Sequence, residues 1–245
     1  MHCFALGFFF GFLAGLFFGL VIGYLPVLYQ SYSNRELRIA VLDARAGSPP
    51  SAGALLMRQG RNPRTLEREL GAWEEWSAQL LQHHVSYPML SYFRSQHVNQ
   101  SWLAGITTIL DVSAVVMLSG SGDLKRQAEI TFAMGRHTLV DVARIIRTHA
   151  PEGGEDRLPS GCFEQLRTAI VEGETALDAR RLQPAELASL RRQYEPYAEA
   201  LSRYFLIALP RWLPPKGRMD NWNATDWDRS AHVFAVSDPF TETEE

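Results

Sequence analysis

The stretch Gly7–Gly23, GFFFGFLAGLFFGLVIG, places glycine at every fourth position: Gly7, Gly11, Gly15, Gly19 and Gly23. It lies inside a run from Cys3 to Tyr29 that carries no charged side chain, and the first Lys, Arg, Asp or Glu of the chain is Arg35. As a helix those residues would extend roughly 40 Å at about 1.5 Å per residue. A hydrocarbon core of about 30 Å is then crossed with some tilt. A buried core helix rarely dispenses with charge over such a length. A cleaved secretory signal would want a basic start and an apolar core of roughly 7–15 residues, neither of which is present. The reading is a transmembrane helix.

Four-residue spacing on a 3.6-residue turn makes the glycine row wind slowly around that helix. Rows of small residues let helix backbones approach closely in a bilayer, so the row is expected to pack against other membrane helices. Pro26 removes a backbone donor near the far end, where a kink is expected. Arg35, Arg38 and Arg45 follow the span while only His2 precedes it. The bias places the N-terminus outside and the remainder in the cytoplasm, with Tyr24, Tyr29 and Tyr32 as an inner aromatic belt.

Behind the span lies material for one globular domain. The 245 residues are 46% hydrophobic and 21% charged with a formal net charge of -3, which gives no argument for nucleic acid as a partner. Cys3 opens the apolar run and Cys162 lies far into the polar region, so the two are not expected to pair and no disulfide framework exists, in keeping with a reducing compartment. Helical periodicity dominates from Asn34 onward. NRELRIAVLDA continues the membrane helix, RAGSPPS ends it, and Ser51 is placed to cap the next helix. Asn62 and Pro63 open a helix whose stripe is Leu66, Leu70, Trp73, Ser77, Leu80 and Leu81. Trp102 to Leu118 is apolar enough to invite a second span. It is short, however, and Asp111 at its centre would cost about 2.5–3.5 kcal/mol in a bilayer, so a buried bundle helix is expected. Further helices are expected over about Asp123–His149, Cys162–Leu177 and Pro184–Leu209. The fold class is therefore all-α, in three parts: a transmembrane and juxtamembrane segment over residues 1–34, a helical cytoplasmic domain over 35–213, and an irregular acidic tail over 214–245. Tryptophans of the stretch that begins at Pro210, PRWLPPKGRMDNWNATDW, are expected to dock on the bundle.

Chemistry is hard to find. His83 and His84 are neighbours that cannot ligate from one helix face. His137 and Asp141, four apart, read as a surface pair and not as a metal site. His97 stands beside Asn99, which reads as a helix cap. GSGDLK at Gly120 lacks the phosphate-loop pattern, and neither Ser119 nor Ser121 lies in a GxSxG context. The sites Asn99-Gln-Ser101 and Asn223-Ala-Thr225 match the glycosylation pattern but fall on the cytoplasmic side. Neither an enzyme nor a cofactor is expected, and no catalytic residue is assigned.

Two longer strings carry a resemblance. GLVIGYLPVLYQSYSNRELRIAVLDARAGSPPSA, from Gly19, resembles the junction after the inner helix in bacterial potassium channel family proteins with two membrane helices per subunit. WEEWSAQLLQHHVSYPMLSYFRSQHVNQSWLAGITTILD, from Trp73, resembles the body of their cytoplasmic domain. The resemblance implies a homo-oligomer, a tetramer, in the bacterial inner membrane. It also implies gating hinges at Gly15, Gly19 or Gly23 and a bend at Pro26 near the bundle crossing. It departs from the family where conduction is decided, because no TVGYG-like filter string occurs and the outer and pore helices are missing. The chain reads as a truncated or filterless form, with a membrane-anchored interaction protein that oligomerises through its glycine row as the alternative.

Overall fold

The computed structural model describes residues 2–95, 100–149 and 156–214, with side-chain surroundings given from residue 11 onward except at residue 20. His97, Asn99, the Asn223–Thr225 site and the acidic tail from residue 215 lie outside the described residues, as do the surroundings of Gly7. Among the described residues every regular element is a helix and there is no strand.

The N-terminal helix α1 runs unbroken from His2 to Ala46 and contains Pro26 within it. Its 45 residues make a rod of about 68 Å, roughly twice the hydrocarbon thickness of a bilayer. Two surfaces divide that rod. From Gly11 to Val27 almost every described side chain is exposed, Ile22 being 70% so. From Leu28 on, a stripe at helical spacing turns inward: Leu28, Ser31, Arg35, Ile39, Leu42 and Ala46 are all buried. The chain thus keeps one helix through the end of the apolar run and into the core of the domain.

Gly47–Pro50 turns the chain, and Ser51 caps α2 (Ala52–Gln59) by accepting from the Ala54 amide at 3.4 Å. Asn62 caps α3 (Pro63–Ser86) through bonds from the amides of Arg64 and Thr65. A short 3₁₀ turn at Pro88–Tyr92 follows. Ser101 then caps α4 (Trp102–Ser119), accepting from Ala104 at 2.9 Å. α5 spans Gly122–Ile145, α6 Ser160–Glu172, α7 Pro184–Arg191 and α8 Glu195–Phe205.

α4 is the axis of the domain. Apart from its last turn it is buried throughout, and α1, α2, α3, α5, α7 and α8 all pack on it. α3 and α5 lie against each other along their lengths. The helix is long and apolar enough to cross a membrane, as α1 is, but it is spent as a core helix. Close packing is built in at Gly105, where an added Cβ would lie 3.0 Å from the ring of Trp73.

One expected helix is two. The heptad-like spacing of Leu187, Leu190, Tyr194, Tyr197, Leu201 and Phe205 predicts a single helix over Pro184–Leu209, yet α7 ends at Arg191 and α8 starts at Glu195. Pro196 is the reason. It has no amide to give the carbonyl of Arg192, and its ring crowds that turn. The residues still face the core, with Leu187, Tyr194, Leu201 and Phe205 buried. The expected stripe on α3 holds, with Leu66, Leu70, Trp73, Ser77 and Leu80 buried and Leu81 half-buried against the core, and Phe163, Leu166 and Ile170 are buried on α6.

Candidate functional site

Two groups of polar side chains stand out against this apolar framework, one deep in the domain and one where it meets α1. The deep group centres on Asp111, fully buried at the middle of α4. Arg157 approaches it in fork geometry, Nη2 to Oδ2 at 2.6 Å and Nη1 to Oδ1 at 3.2 Å. The Tyr194 hydroxyl donates to Oδ1 at 2.5 Å. Arg157 also donates to Glu195 at 2.9 Å and to the Pro210 carbonyl at 2.9 Å. Arg191 extends the network, reaching Glu195 through Nε at 3.1 Å and Asp156 through Nη2 at 2.5 Å. Trp212 closes it, with the guanidinium carbons of Arg157 and Arg191 at 6.0 and 5.6 Å from its ring centre.

Charge and proton position follow from that arrangement. Burial pushes the Asp111 carboxyl above its usual range, while Arg157 and the Tyr194 hydroxyl pull it back. Burial also works against the charge on Arg157, but the Asp111 carboxylate more than offsets it and holds the guanidinium protonated. Tyr194 is raised well above the ordinary phenol by burial and by Asp111, so it remains a donor. Both oxygens of the fully buried Asp111 carboxylate are engaged, while Arg157 Nε and Trp212 Nε1 are buried without a hydrogen-bond partner among the described residues. The network therefore works as a clasp, tying α4, the segment before α6, the α7–α8 turn and the chain from Pro210 to Trp212 into one body.

The clasp also seats the end of the described chain. The Trp212 carbonyl accepts the Gly53 amide at 2.8 Å, filling one of the open donors in the first turn of α2. A Cβ at Gly53 would lie 2.6 Å from the tip of the Leu213 side chain and 3.1 Å from the Trp212 carbonyl oxygen, so a larger residue would have to displace Leu213 and crowd this contact. Of the tryptophans expected to dock, Trp212 is buried on the bundle, and Trp222 and Trp227 lie outside the described residues.

The second group joins α1 to the 3₁₀ turn. Arg35 is only 4% exposed. Its guanidinium donates to the carbonyls of Leu90 at 2.9 Å and Phe93 at 2.6 Å, and its Nε to Glu36 at 2.9 Å. Tyr32 donates to the Arg94 carbonyl at 3.2 Å. Tyr24 and Tyr87 meet edge to face at 5.4 Å, and Tyr32 lies 6.1 Å from Phe93. The arginines that follow the apolar run are thus engaged by the domain: Arg38 lies 5.9 Å from the Trp73 ring centre, and Arg45 pairs with Glu69. Nearby, His84 is buried with Nδ1 at 2.7 Å from the Leu80 carbonyl and its ring 5.2 Å from Trp102. Burial holds its imidazole down at about 4, with the charge of Arg35 adding to the effect.

Residues singled out from the sequence are not drawn together by the fold. Gly11, Gly15, Gly19 and Gly23 lie on the free half of α1, where an added Cβ would meet nothing within 4 Å. Pro26 lies just before the docked stripe. His137 and Asp141 form an exposed pair at 3.2 Å. Among the described residues no group of three His, Cys, Asp or Glu side chains is placed to hold a metal ion. The residues that sequence reasoning missed are Arg157, Arg191, Tyr194 and Glu195. Their only signal was Asp111 itself, a carboxylate in an apolar helix that had to find a cation. No protein-family model, no curated protein and no solved structure matches the chain.

Removing one member of the clasp leaves an uncompensated buried charge. Asp111→Asn is expected to lower the unfolding free energy by about 3–5 kcal/mol in urea titrations. Asp111→Leu combined with Arg157→Met should recover most of that loss. A loss below about 1 kcal/mol would show that the clasp is not a structural element. His84 sets a pH dependence. Its folded-state value near 4 lies below the usual 6.5, so the unfolded chain binds the proton first as pH falls. Stability should therefore drop from about pH 6.5 downward, at no more than about 1.4 kcal/mol per pH unit, and be unaffected above it. Urea unfolding of His84→Gln across that range should lack this component of the slope.

Proposed function

We propose that the chain is a single-pass membrane protein in which α1 anchors an all-helical cytoplasmic domain and associates with other membrane helices through its glycine row. One observation carries the reading. α1 is a single helix whose first half offers apolar side chains and open glycines to its surroundings, while its second half belongs to the domain core. A helix of that kind fixes a domain to the bilayer at a set height and orientation, and any association of the spans brings the domains together in register. The charge bias around the span supports an N-terminus outside and the domain in the cytoplasm, at a bacterial plasma membrane. The role is that of an assembly or interaction module, with copies of the same chain as the first partner.

The channel-subunit reading is kept as a second proposal because the unbroken helix would transmit motion between a membrane bundle and the domain. The sequence has no filter string, so under that reading the chain supplies a gate and another subunit the filter. Potassium efflux from liposomes holding this chain alone would require conduction by another route and would set the anchor proposal aside.

The glycine row gives the direct test. Because nothing lies within 4 Å of the added Cβ atoms, Gly11→Leu, Gly15→Leu and Gly19→Leu together should leave the domain folded. Sedimentation in detergent micelles and chemical cross-linking in membranes should then show an oligomer for the native chain and a monomer for the triple variant. Association that survives all three changes would contradict the proposal.

A further inference from the structure

We infer that the domain carries a second membrane contact, an apolar face around the base of α1 that rests on the lipid interface beside the span. The inference rests on the anchor reading of α1 and adds a surface to it. Val85, Met89, Tyr92, Phe93, Tyr204 and Leu206 are all exposed large apolar or aromatic side chains. They come from two segments that carry no charge, residues 85–93 and 204–210. The two segments are joined to each other: the Tyr92 and Tyr204 hydroxyls lie 2.9 Å apart, and Arg94 donates to the Phe205 carbonyl at 3.0 Å. The first segment is in turn fixed to α1 by Arg35 and Tyr32, as described above.

Height along α1 identifies the occupant as lipid. Tyr87 packs on Tyr24, and Tyr24 belongs to the charge-free run that continues to Tyr29. A domain segment in contact with that part of the helix stands at the depth where the span leaves the hydrocarbon, the level at which tyrosine is favoured. Leu206 agrees with this placement. It ends α8 with φ +54°, the left-handed position that glycine usually takes, and is 78% exposed. A leucine held there in water gains nothing, whereas at a bilayer surface the turn delivers its side chain to the acyl boundary.

The test uses the full chain, with Cys3→Ser and Cys162→Ser, in phosphatidylcholine–phosphatidylglycerol vesicles. Single cysteines at Met89→Cys, Leu206→Cys, Phe17→Cys and Val171→Cys carry an environment-sensitive fluorophore. Brominated lipids and aqueous iodide serve as quenchers. Phe17→Cys reports the span, and Val171→Cys an exposed site on α6, which packs chiefly on α2 rather than on the Pro88–Tyr92 turn or α8. The expected result is quenching of Met89→Cys and Leu206→Cys by lipids brominated near the headgroup, of Phe17→Cys by lipids brominated deep in the chain, and of Val171→Cys by iodide alone. Iodide quenching of Met89→Cys and Leu206→Cys equal to that of Val171→Cys overturns the inference while the span stands. Protection of both labels from both quenchers does the same, and assigns the face to a protein partner. Iodide quenching of Phe17→Cys overturns the anchor reading, and this inference with it.

Discussion

Burial of one edge of α1 against the domain is the constraint on which the rest of the structure depends. Leu28, Ile39, Leu42 and Ala46 remove apolar surface from water, each large side chain contributing on the order of 1.5–3 kcal/mol. Arg35, on the same edge, gives its charge to backbone carbonyls of the turn at residues 90 and 93. Because the stripe and the exposed apolar half belong to one uninterrupted helix, the domain has no free tether. Whatever holds the first half of α1 holds the domain too, and the proposed functions, anchor or gate, both draw on that stiffness.

At the far side of α4 the Asp111 clasp does a related job with charge. A buried ion pair is weak evidence for stability by itself, since desolvation opposes the Coulomb attraction. Its value here is positional. Three segments of low local regularity, the approach to α6, the α7–α8 turn and the stretch through Pro210 and Trp212, meet around one carboxylate, and a displacement of any one leaves a donor or acceptor stranded. The first turn of α2 depends on the same closure, because the Trp212 carbonyl satisfies the Gly53 amide.

Much of the fold is legible in the sequence where local rules decide. Ser51 and Asn62 announce helix starts because short polar side chains before a periodic run have few other uses. α4 reads correctly as a core helix because Asp111 makes a bilayer expensive while its neighbours need burial. Local rules failed where they competed: apolar spacing through 184–209 argued for one helix, and Pro196, visible in the sequence, overruled it. Tertiary choices left no local trace. Nothing near Arg157 or Tyr194 says that their partner is Asp111, and the stripe from Leu28 is hidden because the residues before it are apolar on every side. The glycine row is plain in the sequence, yet among the described residues nothing packs on Gly11, Gly15, Gly19 or Gly23, and its role is a proposal.

Hydrogen exchange on the full chain in micelles tests the central claim most directly. Amides from Leu28 to Ala46 should exchange as slowly as those of α4, and should lose protection together with α4 as urea is raised. Fast exchange over that segment while α4 stays protected would mean that α1 leaves the domain as an independent helix, and would contradict the account.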